Sequence, residues 1–473
     1  MIKAIKYLST LISSIILLIF INGPVQAEAY NCPADSTWFS APSMPKEVAQ
    51  TAKGGGSTFC DFYQFSWQAF AYLMSPAKPG SSIKMFQDNK AYYELEINSD
   101  GTPANSCDEK KPGNTLFVRI TKSEDTGAAF KMPEDINQAG GGATIYDQNR
   151  NIVYYDVKFS KNMCNVAAIN KLSNFPAGTT ELKTAWKVLK AGEESNYLTI
   201  STTIGESAKA VTLGMIGFHM AIATSDHPEF VWATFEHNTN APDCLQPQFT
   251  TATSFSSQQC NAALKNKDII GIINCKFNTA SRQTDPAKIT SAPTEICREY
   301  AYGTAAGDLK AAENIGDITS LNSNVQQYLK GPYVFLNNYF NVGAIWLSNT
   351  KQDSIVSNQR GSLRLANTVA ETEHQNVDLN SKTFVSNCFG CHIFSGAGNN
   401  TTAGAVSHIF DDILAGSGQC VDIPATQLIN SQSQAESICP TSCTNISSQL
   451  AWNGQWTNKG VPMTVCGCCG KNK

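Results

Sequence analysis

The chain has 473 residues, a formal net charge of −4 and a sequence pI near 5.9. It has no basic excess of the kind that contacts a phosphate backbone, so nucleic-acid binding is excluded as a function. A chain of this length can bury substantial hydrophobic cores, and we expect two or three domains.

The N-terminus has the pattern of a signal peptide. Lys3 and Lys6 form a positive region, an apolar run follows over residues 8–21, and the small residues at 25–27 offer a cleavage site. The apolar run is short for a membrane span, although an uncleaved anchor is the alternative interpretation. We therefore expect residues 1–27 to be removed and the mature protein to be periplasmic or secreted, with no membrane span.

The first predicted helix begins near Asp61, which can cap it, and ends before Pro76. Residues 84–211 then change to short alternating runs separated by Gly, Pro, Asn and Asp, a pattern that predicts strands. One further helix is predicted among them, near residues 181–189. The strands are expected over 91–97, 115–120, 151–157 and 197–200.

The middle of the chain is first apolar and then polar. Residues 212–222 and 230–237 predict buried strands, and helical segments are expected over 324–329 and 336–346. The helical start, the strand-rich middle and these late helices together predict an α+β fold. The polar stretch 244–317 carries four cysteines and predicts a disulfide-pinned insertion. These cysteines are Cys244, Cys260, Cys275 and Cys297.

Residues 388–392 read Cys-Phe-Gly-Cys-His, the attachment signature of c-type haem. Two cysteines three apart can reach the two vinyl groups of one haem edge. Cys388 and Cys391 would then form thioethers to a covalent haem c, and His392 would be the proximal iron ligand. A structural cysteine pair beside an unrelated histidine, or a Cys-x-x-Cys redox pair, are the alternatives. The other 14 of the 16 cysteines allow up to seven disulfides in an oxidising compartment.

Five short motifs, in this order, resemble a family of exported cytochrome c-like proteins of unclear role. The resemblance extends over roughly residues 60–412. Together with the predicted elements, it makes residues 28–420 a cytochrome c-like domain, strand-rich α+β with helices and a single haem c attachment site. The motifs are residues 65–70, 232–237, 365–368 with 371–372, the Cys-x-x-Cys-His motif, and 407–410.

The family motifs make His408 the first candidate for the sixth iron ligand, and His237 and His219 are weaker candidates. A histidine inside an apolar strand is more often a hydrogen-bonded core residue. Met215, Met220 or an open iron position are the other possibilities. Two histidine ligands suit electron transfer, whereas an open position would permit peroxidase-like chemistry. We expect an electron carrier or binding protein rather than a catalyst, with a redox partner that the sequence does not identify.

The tail, residues 421–473, resembles one repeat of the small mannan-binding lectin family. The stretches 452–457 (Trp-Asn-Gly-Gln-Trp-Thr) and 462–468 are the main parts of that resemblance. An aromatic plane flanked by amides suits the apolar face and the hydroxyls of a sugar, although a tryptophan here can instead fill a small core. The resemblance implies that a mannose-rich glycan would be held by Asn430, Ser431, Asn453, Gly454, Gln455 and Trp456.

The cysteines of the tail depart from the lectin pattern. Two lie four apart on one helical face and two lie two apart on one strand face, so two disulfides could join the helix to the strand. A zinc site with four thiolate ligands is the alternative, which export disfavours. Cys420 is one possible partner for Cys469. The four cysteines of the helix and strand are Cys439, Cys443, Cys466 and Cys468.

Three functions follow. The first is an exported monohaem c-type protein that transfers electrons and carries a glycan-binding appendage. The second is a secreted mannose-binding lectin-like protein whose N-terminal region is a disulfide scaffold without haem. The third is a haem enzyme with an open iron site and peroxidase-like activity.

Overall fold

The computed structural model describes residues 30–88, 90–93, 143–164, 175–204, 209–279, 281–282, 292–348, 358–372, 375, 388–391, 420–425, 429–446, 450–457 and 465–470. The predicted signal peptide, the strand over 115–120, and the ligand roles of His392 and His408 lie outside these residues. No helix within the described ranges is long and apolar enough to cross a membrane.

The strands within these ranges are β1 Tyr92–Tyr93, β2 Ala143–Thr144, β3 Tyr154–Ser160, β4 Thr180–Val188, β5 Thr199–Ile204, β6 Lys209–Ile222, β7 Val231–His237, β8 Ser281–Arg282, β9 Tyr339–Leu347, β10 Gln359–Gly361, β11 Cys420–Pro424, β12 Leu450–Thr457 and β13 Val465–Gly470. The α-helices are α1 Thr37–Ser40, α2 Phe59–Leu73, α3 Gln258–Asn266, α4 Ile269–Cys275, α5 Ala311–Val325, α6 Cys388–Cys391 and α7 Gln432–Ile446.

An antiparallel sheet of eight strands organises the larger part of the described chain. Its order is β1-β3-β4-β6-β7-β9-β10, and β5 pairs with the first half of β6. Alternation along β6 places Phe218 and Met220 in the hydrophobic cluster that includes α2, and Ala221 in a cluster on the opposite face. Both faces of the sheet are therefore covered.

Helix α2 is fixed at its start by a capping box. The Asp61 amide donates to Thr58 Oγ1 at 3.1 Å, and the Thr58 amide donates to Asp61 Oδ2 at 2.7 Å. The predicted helix is thus confirmed, but Thr58 is the cap and Asp61 is the third helical residue. On its buried face Phe70 stacks on Phe235 of β7 with ring centroids 3.8 Å apart.

Two helices predicted from the sequence are strands in the structure. Residues predicted as a helix near 181–189 form β4, and those predicted over 336–346 form a 3₁₀ helix, Gly331–Asn338, followed by β9. Every residue of β9 except Phe340 is buried. A strand that is covered on both faces reads as a continuous apolar run, which periodicity alone does not distinguish from a buried helix.

The four cysteines of the predicted insertion form two disulfides, Cys244–Cys297 and Cys260–Cys275. The second joins α3 to α4. A further disulfide, Cys32–Cys60, ties the N-terminal loop to the start of α2.

The C-terminal region combines a three-stranded antiparallel sheet of order β11-β13-β12 with helix α7. Disulfides Cys439–Cys466 and Cys443–Cys468 join the helix to β13, so the alternative of a four-thiolate zinc site is wrong. Cys469 is also in a disulfide, and the register places Cys420 of β11 opposite it. The helix and sheet enclose a small core formed by Ala425, Ile429, Ala435, Ile438, Leu450 and the four cysteines.

The described chain is therefore strand-rich with helices, and its C-terminal part is disulfide-bonded, as the sequence predicts. The haem attachment site and the domain boundaries stay predictions.

Candidate functional site

The pairing of β12 with β13 is interrupted by a bulge. Residues 453–455 of β12 lie opposite Gly467 alone, because the pairs on either side are Trp452–Cys468 and Trp456–Cys466. Gly454 has φ +88°, a left-handed conformation that glycine adopts without steric cost. All three bulge residues, Asn453, Gly454 and Gln455, are exposed.

Hydrogen bonds within the bulge fix its shape. The Gln455 amide donates to Asn453 Oδ1 at 2.9 Å, and the Trp452 indole donates to the Gln455 carbonyl oxygen at 2.7 Å. The Asn453 side chain also covers Gly467, where an added Cβ would lie 2.6 Å from Asn453 Oδ1. The side chain of Gln455 is therefore left exposed on a backbone held by its neighbours.

The start of α7 is a second segment of the predicted site. The Gln434 amide donates to Ser431 Oγ at 3.3 Å, and the Asn430 amide donates to Gln434 Oε1 at 2.7 Å. Ser431 therefore caps the helix, and its hydroxyl also contacts Ser433 Oγ at 3.1 Å. Asn430 and Ser431 are both exposed.

One contact joins the two segments. The half-buried Trp456 donates its indole N–H to Gln432 Oε1 at 2.7 Å, which ties the end of the bulge to the first residue of α7. Sequence reasoning did not identify Gln432. The only available signal was its position directly after Ser431, since an exposed glutamine at a helix start has no distinctive pattern.

The joined segments present mainly amide and hydroxyl groups. One acid, Glu436, adjoins them, and its Oε1 accepts from Gln432 Nε2 at 3.3 Å. Nowhere in the described part of the chain do three His, Cys, Asp or Glu side chains form a group that could hold a metal ion. A surface of this kind suits a neutral ligand rich in hydroxyl groups.

His237, a weaker ligand candidate, is buried and engaged at both ring nitrogens. Nε2 lies 3.0 Å from the Asn196 carbonyl oxygen, and Nδ1 accepts from Thr239 Oγ1 at 2.9 Å. The ring stacks on Tyr197 with centroids 4.0 Å apart. Burial lowers the pKa of His237 to about 4. This environment is that of a core histidine.

His219, the other weaker candidate, lies in the middle of the sheet and is partly exposed. Its Nε2 is 2.7 Å from Glu371 Oε2, and no contact of Nδ1 is found among the residues that the structure describes. Burial by itself raises the pKa of Glu371, but the charge and hydrogen bond of His219 outweigh it and hold that pKa below its usual value.

The Cys-x-x-Cys segment forms one helical turn, α6. Phe389 is fully buried in the cluster on the sheet face opposite α2, with its ring 6.4 Å from that of Trp232, and the half-buried Cys388 packs against the same cluster. The side chains of Cys391 and His392 lie outside the described set, so the haem ligand set stays a prediction.

Two of the five cytochrome-like motifs, residues 232–237 and 365–368, meet in the core. Asn367 Nδ2 donates to Thr234 Oγ1 at 2.8 Å, and Thr368 donates its amide and its hydroxyl to Glu236, each at 2.7 Å. Arg298, which sequence reasoning missed, binds Glu236 at 2.7 Å. The contacts of these motifs are those of a buried polar network.

Residues 432–468 match the family model described as "Mannan-binding protein". No curated protein and no solved structure matches the chain. The matched residues extend from the start of α7 to β13 and include the whole bulge and Trp456, whereas Asn430 and Ser431 precede them. The lectin resemblance of the tail is thus confirmed over these residues, and the cytochrome c-like resemblance stays a prediction.

Proposed function

We propose that the protein is an exported glycan-binding protein whose C-terminal module binds mannose-rich glycans. One observation carries the proposal. The stretch that matches the mannan-binding family contains the exposed bulge and its hydrogen bond to α7. The disulfides of the chain support export, because such bonds persist in oxidising compartments.

The chemistry of the bulge fits a sugar. A glycan hydroxyl both donates and accepts hydrogen bonds, and the exposed amide of Gln455 can do the same. The half-buried ring of Trp456 adds apolar surface for a sugar face, and its bond to Gln432 holds the ring in place.

The contacts also rank the predicted site residues. Ser431 Oγ is already used as a helix cap and Asn453 Oδ1 as an acceptor for the Gln455 amide, so both position the site as well as line it. Gln455 contributes its whole side chain to the ligand. We therefore expect Gln455 to be the most important direct contact.

The test is glycan-array screening of the full chain, followed by calorimetry with a mannose oligosaccharide. Gln455→Ala should weaken binding about tenfold, since the bound sugar loses hydrogen bonds worth roughly 1 to 1.5 kcal/mol. Thr441→Ala is the matched control, because Thr441 is exposed on α7 outside the site. Absence of mannose-type ligands on the array, or equal affinity of Gln455→Ala and the intact chain, would overturn the proposal.

A covalent haem c at Cys388 and Cys391 is a second proposed function, with electron transfer as its role. The observation that favours it is that α6 is a single helical turn whose Phe389 is anchored on the sheet, which would hold a three-apart cysteine pair in place. Each thioether would form by addition of a thiol across a vinyl double bond. His392 would bind the iron, and the haem would supply one-electron chemistry.

A mass spectrum of the exported protein tests the haem proposal. Attached haem adds its mass to that of the processed chain, and Cys388→Ala should yield protein with less or no attached haem. Processed chain at the mass of the polypeptide alone, from cells that make other c-type cytochromes, would exclude it. The glycan test does not depend on this result.

A further inference from the structure

Helix α4 presents three isoleucines to solvent. Ile269, Ile270 and Ile273 are 72%, 73% and 67% exposed. At helical spacing their side chains fall within an arc of about 100° on one side of α4. Large aliphatic side chains are usually buried, and exposed ones usually lie singly, so a group of three on one short helix marks a contact surface.

We call Ile269, Ile270 and Ile273 on α4 the isoleucine tip. The surrounding chain holds this tip rigidly. The disulfide Cys260–Cys275 joins the end of α4 to the buried side of α3, and Cys244–Cys297 closes the base of the segment. Gly271 lies so close to α3 that an added Cβ would be 2.9 Å from Ala263 Cβ. The tip is therefore part of an ordered scaffold.

Basic residues surround the tip. Lys265, Lys267 and Lys276 are all exposed and flank α4 on both sides, and residues 265–276 contain one acid, Asp268, with Glu299 accepting from Asn278 beyond them. The whole chain carries a formal net charge of −4, so a local positive rim is a departure from its average. An apolar centre with an ammonium rim is complementary to an anionic lipid surface, which offers acyl chains beneath a layer of phosphates.

We propose that α4 and its lysine rim form a membrane-contact site that inserts the three isoleucines into the interfacial region of an anionic lipid bilayer. The lysine stems would lie along the apolar layer, with their ammonium groups at the lipid phosphates. A protein partner fits less well, because a tip of three side chains is far smaller than the roughly 1,200 Å² that a stable protein interface buries.

The test is co-sedimentation of the full chain with vesicles that mix phosphatidylglycerol and phosphatidylcholine, and with phosphatidylcholine vesicles as the neutral comparison. Neither vesicle contains a glycan, so the result is independent of the lectin site. The intact chain should bind the mixed vesicles more tightly, and added salt should weaken that binding. The variant Ile269→Ser with Ile270→Ser and Ile273→Ser should lower the partition coefficient at least about tenfold, because three apolar side chains are lost.

Two further variants sharpen the result. Val334→Ser is the matched control, since Val334 is a β-branched residue 60% exposed outside the disulfide-closed segment, and it should leave binding unchanged. Lys265→Gln with Lys267→Asn and Lys276→Asn should remove the preference for phosphatidylglycerol. Asparagine suits positions 267 and 276 because both have positive φ.

The proposal is overturned if the intact chain does not sediment with the mixed vesicles, or if the triple serine variant binds as well as the intact chain. A second result would also overturn it: the chain does not bind vesicles but forms a dimer that the triple serine variant abolishes. In that case a second copy of the chain covers the tip. The substituted side chains are exposed, so circular dichroism should be unchanged in every variant.

Discussion

Trp456 and Gln432 are joined by a hydrogen bond of 2.7 Å between the indole Nε1 and the amide Oε1. The two residues are 24 positions apart in the chain, one at the end of the β12 bulge and the other at the start of α7. This bond makes a single surface of two segments that would otherwise be independent. The consequence is that Gln432 positions the proposed glycan site without having to contact the sugar.

We predict that Gln432→Ala weakens binding of a mannose oligosaccharide about fivefold, because the lost bond contributes roughly 1 kcal/mol to holding the indole. Gln432→Glu keeps an acceptor oxygen for the indole but loses the donor to Glu436 and places two carboxylates together, so it should restore only part of the affinity. Calorimetry measures both, with Ser437→Ala as an exposed control on the same helix. Unchanged affinity in Gln432→Ala would show that the indole holds its position without this bond.

The disulfide Cys443–Cys468 should stabilise the C-terminal module strongly. Its sequence separation is 25 residues, but Cys439–Cys466 already closes most of that loop, so the chain-entropy description gives this bond about 2 kcal/mol. We predict that Cys443→Ser with Cys468→Ser lowers the unfolding free energy of the module by about this amount.

Tryptophan fluorescence during urea titration measures this loss, because Trp452 and Trp456 both pack against the module core. Glycan binding should persist at low temperature, since Cys439–Cys466 still joins the helix to the strand. An unchanged urea midpoint would mean that the small core and the remaining disulfides hold the module without this bond.

The sequence predicted those parts of the fold that depend on local signals. The capped start of α2 is an example, because Thr58 and Asp61 satisfy each other within one turn. The helix predicted near 181–189 failed for the opposite reason. Its Glu, Leu, Lys and Ala residues favour a helix, but β4 lies between β3 and β6, and pairing on both edges outweighs the propensity.

The candidate site divides in the same way. Asn453, Gly454 and Gln455 could be identified because they lie together in the stretch 452–457. The bulge is formed by those same neighbouring residues. The role of Gln432 depends on how α7 packs on β12, and the partners of Glu236 come from residues 62 and 132 positions away along the chain. Such contacts have no signature in one sequence.

The buried ion network around Arg298 provides a stability prediction. Arg298 lies 2.7 Å from both Glu236 and Asp243, and the Glu236 side chain is fully buried. Arg298→Ala would leave the Glu236 carboxylate buried without its cation, so we expect a loss of about 3 to 5 kcal/mol. Pairing that variant with Glu236→Gln should recover part of the loss.

Chemical denaturation at neutral pH measures these variants. The pair Lys310–Glu313, at 2.9 Å with an exposed lysine and a half-buried glutamate, is the control, and Glu313→Gln should change stability by less than about 1 kcal/mol. A similar small effect of Arg298→Ala would mean that water reaches the Glu236 carboxylate in the folded protein.

His237 should make stability depend on pH. Burial lowers its pKa from 6.5 to about 4, with the charge of Lys187 adding to this and the bond to Asn196 opposing it. The folded chain therefore keeps a neutral imidazole in a range where the unfolded chain takes up a proton. The stabilising contribution is complete above pH 6.5 and falls as the pH drops to about 4, by about 3 kcal/mol in total.

The measurement is the difference in urea midpoint between the intact chain and His237→Gln across that range. The difference should shrink on acidification, because only the intact chain has an imidazole to charge. Asp317→Asn is a control in which the pH dependence of stability has the opposite sign. Burial, with the nearby Glu313, raises the pKa of Asp317 to about 6. Acidification therefore stabilises the intact chain at this site. A His237→Gln difference that stays constant over this range would mean that the imidazole takes up its proton inside the fold, with the Asn196 carbonyl and Tyr197 contacts unable to keep it neutral.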